Sequence, residues 1–205
     1  MSPRGGEPDR MDALTDGVFA IVATLLVLEV KVPQIPDPHT GEQLAAALWH
    51  VVPSLVAFAF SFLTVMIYWL NHDRLGRLVT RYDDRSRFLN LGLLFGLCLI
   101  PFATAFLAES PDEPAAVVTY GAVMLLCALL SLLTFRYLAF SSDLLSGVAL
   151  AQRRAFARRI LGGPLLYALA MAATFASVRL AQGLYVAIPL LYVALPRPAL
   201  DQEAP

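Results

Sequence analysis

The side chains best able to take part in ion binding or catalysis lie between residues 10 and 29, where charged groups flank an apolar run. Asp16 and Glu29 bracket 12 uncharged residues, about 18 Å of α-helix, which is too short to span a hydrocarbon core alone. Ionisable groups at membrane depth usually face a bundle interior or water. This segment is therefore a candidate to line an aqueous path. The alternative is a tilted helix whose charged side chains extend to the membrane interface.

Three aliphatic side chains share one face of this segment. Ile21, Leu25 and Leu28 follow i, i+4, i+7 spacing, with Thr24 adjacent and Glu29 on the neighbouring edge. In a single bundle such a stripe is ordinary core packing. If several copies met around an axis, the same residues would form stacked aliphatic rings that close a narrow throat, and such throats gate by dewetting.

Other sources of chemistry are sparse in this sequence. His39 is expected in an outer loop, with His50 and His72 at opposite ends of the second helix, so the three cannot share a metal ion. No Cys/His cluster, phosphate-binding glycine loop or serine nucleophile motif is present. The sequence therefore indicates no enzyme, no metal and no cofactor. Its arginine clusters are typical of topology determinants and lipid-headgroup contacts rather than of nucleic-acid binding.

Composition places these residues in an integral membrane protein, because 58% of the chain is hydrophobic and only 15% is charged. Runs without charge predict an all-α fold with six transmembrane helices in a single domain spanning residues 1–205. Pro33 is expected to end the first helix, and Pro189 interrupts the last. The predicted helices cover approximately residues 10–32, 44–72, 87–108, 114–138, 155–178 and 180–196.

The distribution of positive charge predicts the orientation of the chain. Thirteen of the 15 Lys and Arg residues fall on one side of the predicted spans, which leaves Lys31 and Arg179 on the other. By the positive-inside rule, both termini lie in the cytoplasm of a multi-pass protein of the cell membrane. The opposite loops are acidic, which would raise the local cation concentration modestly.

Two motifs resemble those of the transmembrane protein 175 family of lysosomal and prokaryotic potassium channels. The run RMDALTDGVFAIVATLLVLEV, Arg10 to Val30, resembles the family signature of Arg, three residues, Phe-Ser-Asp-Gly and a pore helix rich in Ile, Thr and Leu. YWLNH, Tyr68 to His72, resembles its Trp-x-x-His element. Leu14 and Thr15 replace the usual Phe and Ser; Thr15 retains the hydroxyl, whereas Leu14 lacks the ring. Helix count and topology agree over essentially the whole chain.

The resemblance implies a homotetramer of the single-repeat prokaryotic type, in which the first helix of each subunit lines a potassium-permeable pore. It also implies that the usual TVGYG filter is absent, and this sequence contains no such stretch. Ile21, Leu25 and Leu28 would correspond to the hydrophobic constriction, and Thr24 to a hydroxyl layer beside it. Potassium ions would pass through the pore without being bound as a cofactor.

The resemblance further implies a structural polar network formed by Arg10, Thr15, Asp16, Trp69 and His72. Arg10 and Asp16 lie about 120° apart around one helix, so they are poorly placed to pair with each other. We therefore expect the partners of Asp16 to come from another helix or another subunit, because a buried carboxylate requires them.

Two alternatives remain open from the sequence. Glu29 is expected at the outer mouth of the pore, where four copies would form an acidic ring, but it could instead pair with Lys31 or with another helix. The chain as a whole could instead be a non-conducting membrane scaffold or assembly protein whose first helix packs as ordinary core. The arrangement of the first helix in the oligomer separates the channel from the scaffold.

Overall fold

The computed structural model describes residues 7–195 except residues 36, 38, 39, 143 and 146, with side chains from residue 10 onward. His39, both chain ends and residue 196, the expected end of the last helix, lie outside the described residues. The described helices are α1 (Glu7–Leu28), α2 (Gly41–Gly76), α3 (Asp84–Cys98), α4 (Ile100–Glu109), α5 (Pro114–Arg136), a π-helical turn π1 (Tyr137–Ser141), α6 (Leu150–Ala173) and α7 (Val178–Ala194).

The third predicted helix is divided into α3 and α4 at Leu99. Pro101 has no amide hydrogen to donate to the Leu97 carbonyl four residues earlier, and its ring would clash with that carbonyl in a straight helix. The Leu99 amide instead donates to Gly96 in a tighter turn, with an N–O distance of 3.1 Å. The two pieces still form one continuous apolar stretch, Asp84–Glu109, of 26 residues.

The helix ends differ from those expected at several places; for example, α2 spans Gly41–Gly76 rather than 44–72. The first helix ends at Leu28 rather than at residue 32, and Glu29 and Val30 form a turn. Pro33 disfavours helical geometry at the residue before it, which helps to end the helix early. The fifth predicted helix, 155–178, is found at Leu150–Ala173, and it ends before Ser177, which caps α7 by accepting a hydrogen bond from the Leu180 amide.

Four segments are long and apolar enough to cross a membrane: Arg10–Leu28, Gly41–Gly76, Asp84–Glu109 and Pro114–Ser141. They establish a multi-pass membrane protein with an all-α fold. Helix α7 is apolar but has only 17 residues, and the first half of α6 carries four arginines. For these last two helices, membrane crossing stays a prediction.

The main core cluster forms where α1 and α2 pack against α3, α4 and α5, and it extends to α6 and α7. Leu26, Val65, Leu97 and Met124 are each completely buried at this junction. The α3–α5 contact is close because α3 has a glycine at the crossing: a Cβ atom at Gly96 would lie 3.0 Å from the Cys127 sulfur. The Gly92 and Gly96 pair therefore serves helix packing within the subunit.

At each end of the helix bundle, the loops and helix ends contact one another. At the end that we call the Arg-rich end, the α2–α3 loop meets the segment before α6, and the Thr80 amide donates to the Leu144 carbonyl at 2.9 Å. Arg153 stabilises this segment by donating hydrogen bonds to three backbone carbonyls, those of Ala139, Leu145 and Val148. At the opposite end, Gln182 on α7 donates to the Pro111 carbonyl.

Candidate functional site

Helix α1 has one face packed into the subunit and one face without partners. Val22 is 1% exposed and Leu26 is 0% exposed. In contrast, Ile21 is 59% exposed, Leu25 is 42% exposed and Leu28 is 71% exposed. The stripe predicted from the sequence therefore does not pack in the core of the chain. We refer to Ile21, Thr24, Leu25 and Leu28 as the exposed face of α1.

Thr24 is the polar residue on this face. Its hydroxyl donates to the Ile21 carbonyl at 2.9 Å, so its proton is used within the helix. The oxygen lone pairs remain free to accept from water or to contact a cation. One turn before Ile21, a Cβ atom added to Gly17 would meet no atom within 4 Å, so the face continues there as an open backbone surface.

Glu29 follows directly after α1 and is half-buried. Within the described residues its carboxylate forms no hydrogen bond or ion pair. Lys31 is bonded instead to Glu109 at the end of α4, and this hydrogen bond to the Glu109 carboxylate raises the pKa of Lys31. The alternative in which Lys31 pairs with Glu29 is therefore not the arrangement in the structure.

A hydrogen-bonded network joins α1 to α2 and α3 near the Arg-rich end. The indole of Trp69 donates to the Asp16 carboxylate at 2.9 Å. The amide of Asn90 donates to the Thr15 hydroxyl at 2.8 Å, and its oxygen lies 2.9 Å from Nε2 of His72. An amide oxygen only accepts, so Nε2 of His72 must carry the proton. Thr15 and Asn90 are both buried, so these bonds are shielded from solvent.

Local sequence explains how the network is positioned. Trp69 and His72 are three residues apart on α2 and therefore point to the same side, toward α1. The ring of Phe19 lies 6.1 Å from the ring of His72 and fills the space between the two helices. On α3, Asp83 caps the helix by accepting a hydrogen bond from the Ser86 amide. This cap fixes the start of α3 and so the position of Asn90, about one turn after Ser86. The network thus sets the rotation of α1 relative to α2.

Sequence reasoning missed Asn90 as a member of this network. The available signal was an amide inside an otherwise apolar predicted span, which usually seeks a partner on another helix. A second hydrogen bond was also not predicted: the Tyr82 hydroxyl donates to the Asp12 carboxylate at 2.8 Å. Burial and this hydrogen bond raise the pKa of Tyr82. Both contacts connect α1 to the start of α3 and the loop before it.

Arg10 is the predicted network residue that the structure does not bring together with the others. It is exposed and makes no hydrogen bond or ion pair with any described residue. No group of three or more His, Cys, Asp or Glu side chains in the described part of the chain could hold a metal ion. The site thus consists of an unpartnered apolar face and a buried polar network that orients it.

Comparison with known proteins identifies relatives along nearly the whole chain. Residues 10–101 match the sequence profile described as "Endosomal/lysosomal potassium channel TMEM175", and this range contains both the exposed face and the network. A potassium channel of Chamaesiphon minutus is 35% identical over 195 residues, which cover 93% of this chain and 96% of the relative. A potassium channel of Streptomyces collinus is 34% identical over 212 residues, which cover 97% and 98%.

The fold agrees with these sequence relationships. The crystal structure of a lysosomal potassium-selective channel TMEM175 homolog from Chamaesiphon minutus matches with a TM-score of 0.81 at 32% identity. The match covers 91% of this chain and 96% of that chain. The similarity therefore extends across α1 to α7 and is not confined to the two motifs. On sequence and fold together, this chain is a member of the TMEM175 family.

Proposed function

We propose that this protein is the subunit of a homotetrameric potassium-permeable cation channel whose pore is lined by α1 of each copy. Two relatives that match the chain over nearly its full length are potassium channels by name. The observation that carries the proposal is the exposed face of α1, since its side chains are left without partners in the subunit.

An ion path formed between subunits fits the packing of this subunit better than a path through it. Val22, Leu26, Leu97 and Met124 fill the interior and are almost inaccessible. The exposed face of α1 is also bordered by charge, with Asp16 before it and Glu29 after it. Charged groups that face lipid are costly, so this face is better placed toward an aqueous axis than toward the bilayer.

Four copies of the exposed face would form a hydrophobic constriction. Ile21, Leu25 and Leu28 would make three rings separated by about 6 Å and about 4.5 Å along the helix axis. Aliphatic rings cannot replace the hydration shell of an ion, so conduction requires that the throat becomes wet. Thr24 would add a ring of oxygen atoms beside the constriction, and four Glu29 carboxylates would concentrate cations at its mouth.

The polar network would hold α1 in the rotation that the pore requires. Asp16 is bonded to α2 and Thr15 is bonded to α3, so rotation of α1 would break both bonds. We further propose that Arg10, which has no partner among the described residues, contacts a neighbouring subunit. The Arg-rich end would lie in the cytoplasm with both termini, and the protein would reside in the cell membrane.

Ion flux in liposomes tests this proposal. Purified protein is reconstituted with an internal potassium gradient, and its mass is measured by light scattering against a subunit mass of 22.3 kDa. We expect a tetramer that releases potassium faster than the large cation N-methyl-D-glucamine. An intact oligomer without potassium flux would contradict the channel and support the non-conducting scaffold.

A disulfide experiment tests the position of α1 separately. Cys98 is exposed and would be replaced by Ser, and Cys127 is buried and would remain. Leu28→Cys should then cross-link adjacent subunits under mild oxidation, whereas Phe88→Cys on the outward side of α3 serves as an equally exposed control. Equal cross-linking at both positions would contradict the placement of α1 at the axis.

A further inference from the structure

Three small, partly open cavities adjoin one another along α2, toward the Arg-rich end. Their volumes are about 30, 20 and 10 Å³. Asn71 and Ser131 line both the first and the second cavity, and His72 and Thr134 line both the second and the third. Shared walls place the cavities in a row, which we call the inner row. Its third member is lined by Tyr82, in the loop that follows α2.

The inner row is separate from the exposed face of α1. Thr64, Tyr68, Asn71 and Leu75 recur every three or four residues and so form one face of α2, which lines the row. Trp69, which is bonded to α1, lies about 200° around the helix from Asn71. The other walls come from α5, α6 and α7 in the first cavity, and from α3, α5 and α6 in the second. The first cavity therefore lies on the side of α2 that faces away from Trp69, and the third reaches His72 and Asn90 of the polar network.

Polar groups without protein partners face the inner row. Neither the amide of Asn71 nor the hydroxyl of Ser131 forms a hydrogen bond with any described residue. In contrast, the neighbouring Thr134 hydroxyl donates to the Leu130 carbonyl at 2.8 Å. Nε2 of His72 is already bonded to Asn90, which leaves Nδ1 to be satisfied. Asn71, His72 and Ser131 are partly buried, and polar groups at membrane depth need a hydrogen-bonding partner, which water in the cavities can supply.

The size of the cavities selects the molecule that satisfies these groups. One water molecule requires about 10–15 Å³ of such space and two to four polar partners. The three volumes therefore hold about two, one and one water molecules, whereas a hydrated cation does not fit. We propose that each subunit holds a file of ordered waters in the inner row. The file satisfies Asn71 and Ser131 and connects Nδ1 of His72 to the Arg-rich end by a route separate from the pore.

Radiolytic footprinting of the reconstituted wild-type protein in ¹⁸O-labelled water tests the file directly. Hydroxyl radicals that form on bound water oxidise the side chains beside it. Tyr68 and Tyr167 line the first cavity, and Tyr167 is only 3% exposed. Met124 is completely buried, lines none of the three cavities and is easily oxidised, so it serves as the dry control. We expect ¹⁸O in both tyrosines and none in Met124.

Two footprinting results would overturn the proposal. Tyrosines as unreactive as Met124 would show that the inner row is dry, and equal labelling of Met124 would show that hydration does not follow the cavities. The measurement does not depend on ion conduction, so it can fail while the channel proposal stands.

A substitution at Asn71 provides a second measurement with opposite outcomes for a wet and a dry row. In a dry row, Asn71→Leu removes an unpaired amide and raises the melting temperature. In a hydrated row the leucine displaces waters that Ser131 and His72 require, so the melting temperature falls. An unchanged or higher melting temperature would contradict the water file. If the Asn71→Leu variant does not fold, the ¹⁸O footprinting of the wild-type protein decides whether the inner row holds water.

Discussion

Asn90 provides the sharpest test of how α1 is held, because one amide joins α1 to both α2 and α3. Asn90→Ala leaves the buried Thr15 hydroxyl and the His72 ring without their partner. An unsatisfied buried polar group costs about 1–3 kcal/mol, and two such groups that share one partner are not additive, so we expect a loss of about 2–4 kcal/mol. At about 2–4 °C per kcal/mol for a chain of this length, the melting temperature should fall by roughly 5–15 °C.

The assay is thermal unfolding followed by size-exclusion chromatography, with Asn71→Ala as the matched control. The control makes the same chemical change on α2, but its amide has no protein partner, and the space left behind can accept another water. We expect a shift of at most about 3 °C for the control. Equal shifts for Asn90→Ala and Asn71→Ala would refute the reasoning, since the bonds of Asn90 would then contribute nothing specific.

The remaining predictions concern assembly, the pore mouth and pH. Asp16→Ala or His72→Ala should shift the oligomer toward smaller species in light scattering, because each leaves network partners unsatisfied; intact tetramers for both variants would contradict this. Glu29→Gln should lower conductance most at low ionic strength, where screening is weakest; an equal fractional loss at high salt would exclude an acidic ring. The Tyr137 hydroxyl donates to the Asp83 carboxylate and holds the pKa of Asp83 below its ordinary value of 3.8. The bond therefore stabilises the fold at a pH above 3.8, and this stabilisation is lost as the pH falls through the lowered pKa. Asp83→Asn should therefore lower the melting temperature at pH 7. The difference in melting temperature between the variant and the wild-type protein should become smaller below about pH 4. A difference that stays constant with pH would contradict this assignment.

The helical period was sufficient to predict which residues of α1 share a face, but not what that face contacts. Ile21, Leu25 and Leu28 were placed together correctly because side-chain direction in a helix depends only on spacing. The same stripe suits a core, a lipid surface or a pore. The structure excludes the subunit core, since these side chains are exposed. The choice between lipid and axis depends on the oligomer, which the sequence of one chain does not encode locally.

Tertiary contacts account for what sequence reasoning missed. Asn90 lies in a run that was read only for its apolar length, and its partners are 75 and 18 residues away. Charge-free runs predict a later start for α6 than the structure has, because Arg153 lies in the first turn of α6. There its guanidinium donates to backbone carbonyls of Ala139 in π1 and of Leu145 and Val148 in the following segment. A charged residue can thus stabilise a helix start that hydropathy excludes.

The most direct test of the central claim is potassium flux through tetramers with asparagine on the exposed face of α1. Val27→Asn is the matched control, because Val27 is 50% exposed but lies about 120° from Ile21; Val22 is unsuitable, since asparagine there would enter the core. If the constriction gates by dewetting, a polar side chain there makes wetting easier, so Ile21→Asn or Leu25→Asn should raise cation flux and weaken discrimination between potassium and sodium. Val27→Asn should not raise the flux. Well-folded tetramers with asparagine at Ile21, Leu25 or Leu28 that pass no potassium would contradict the channel.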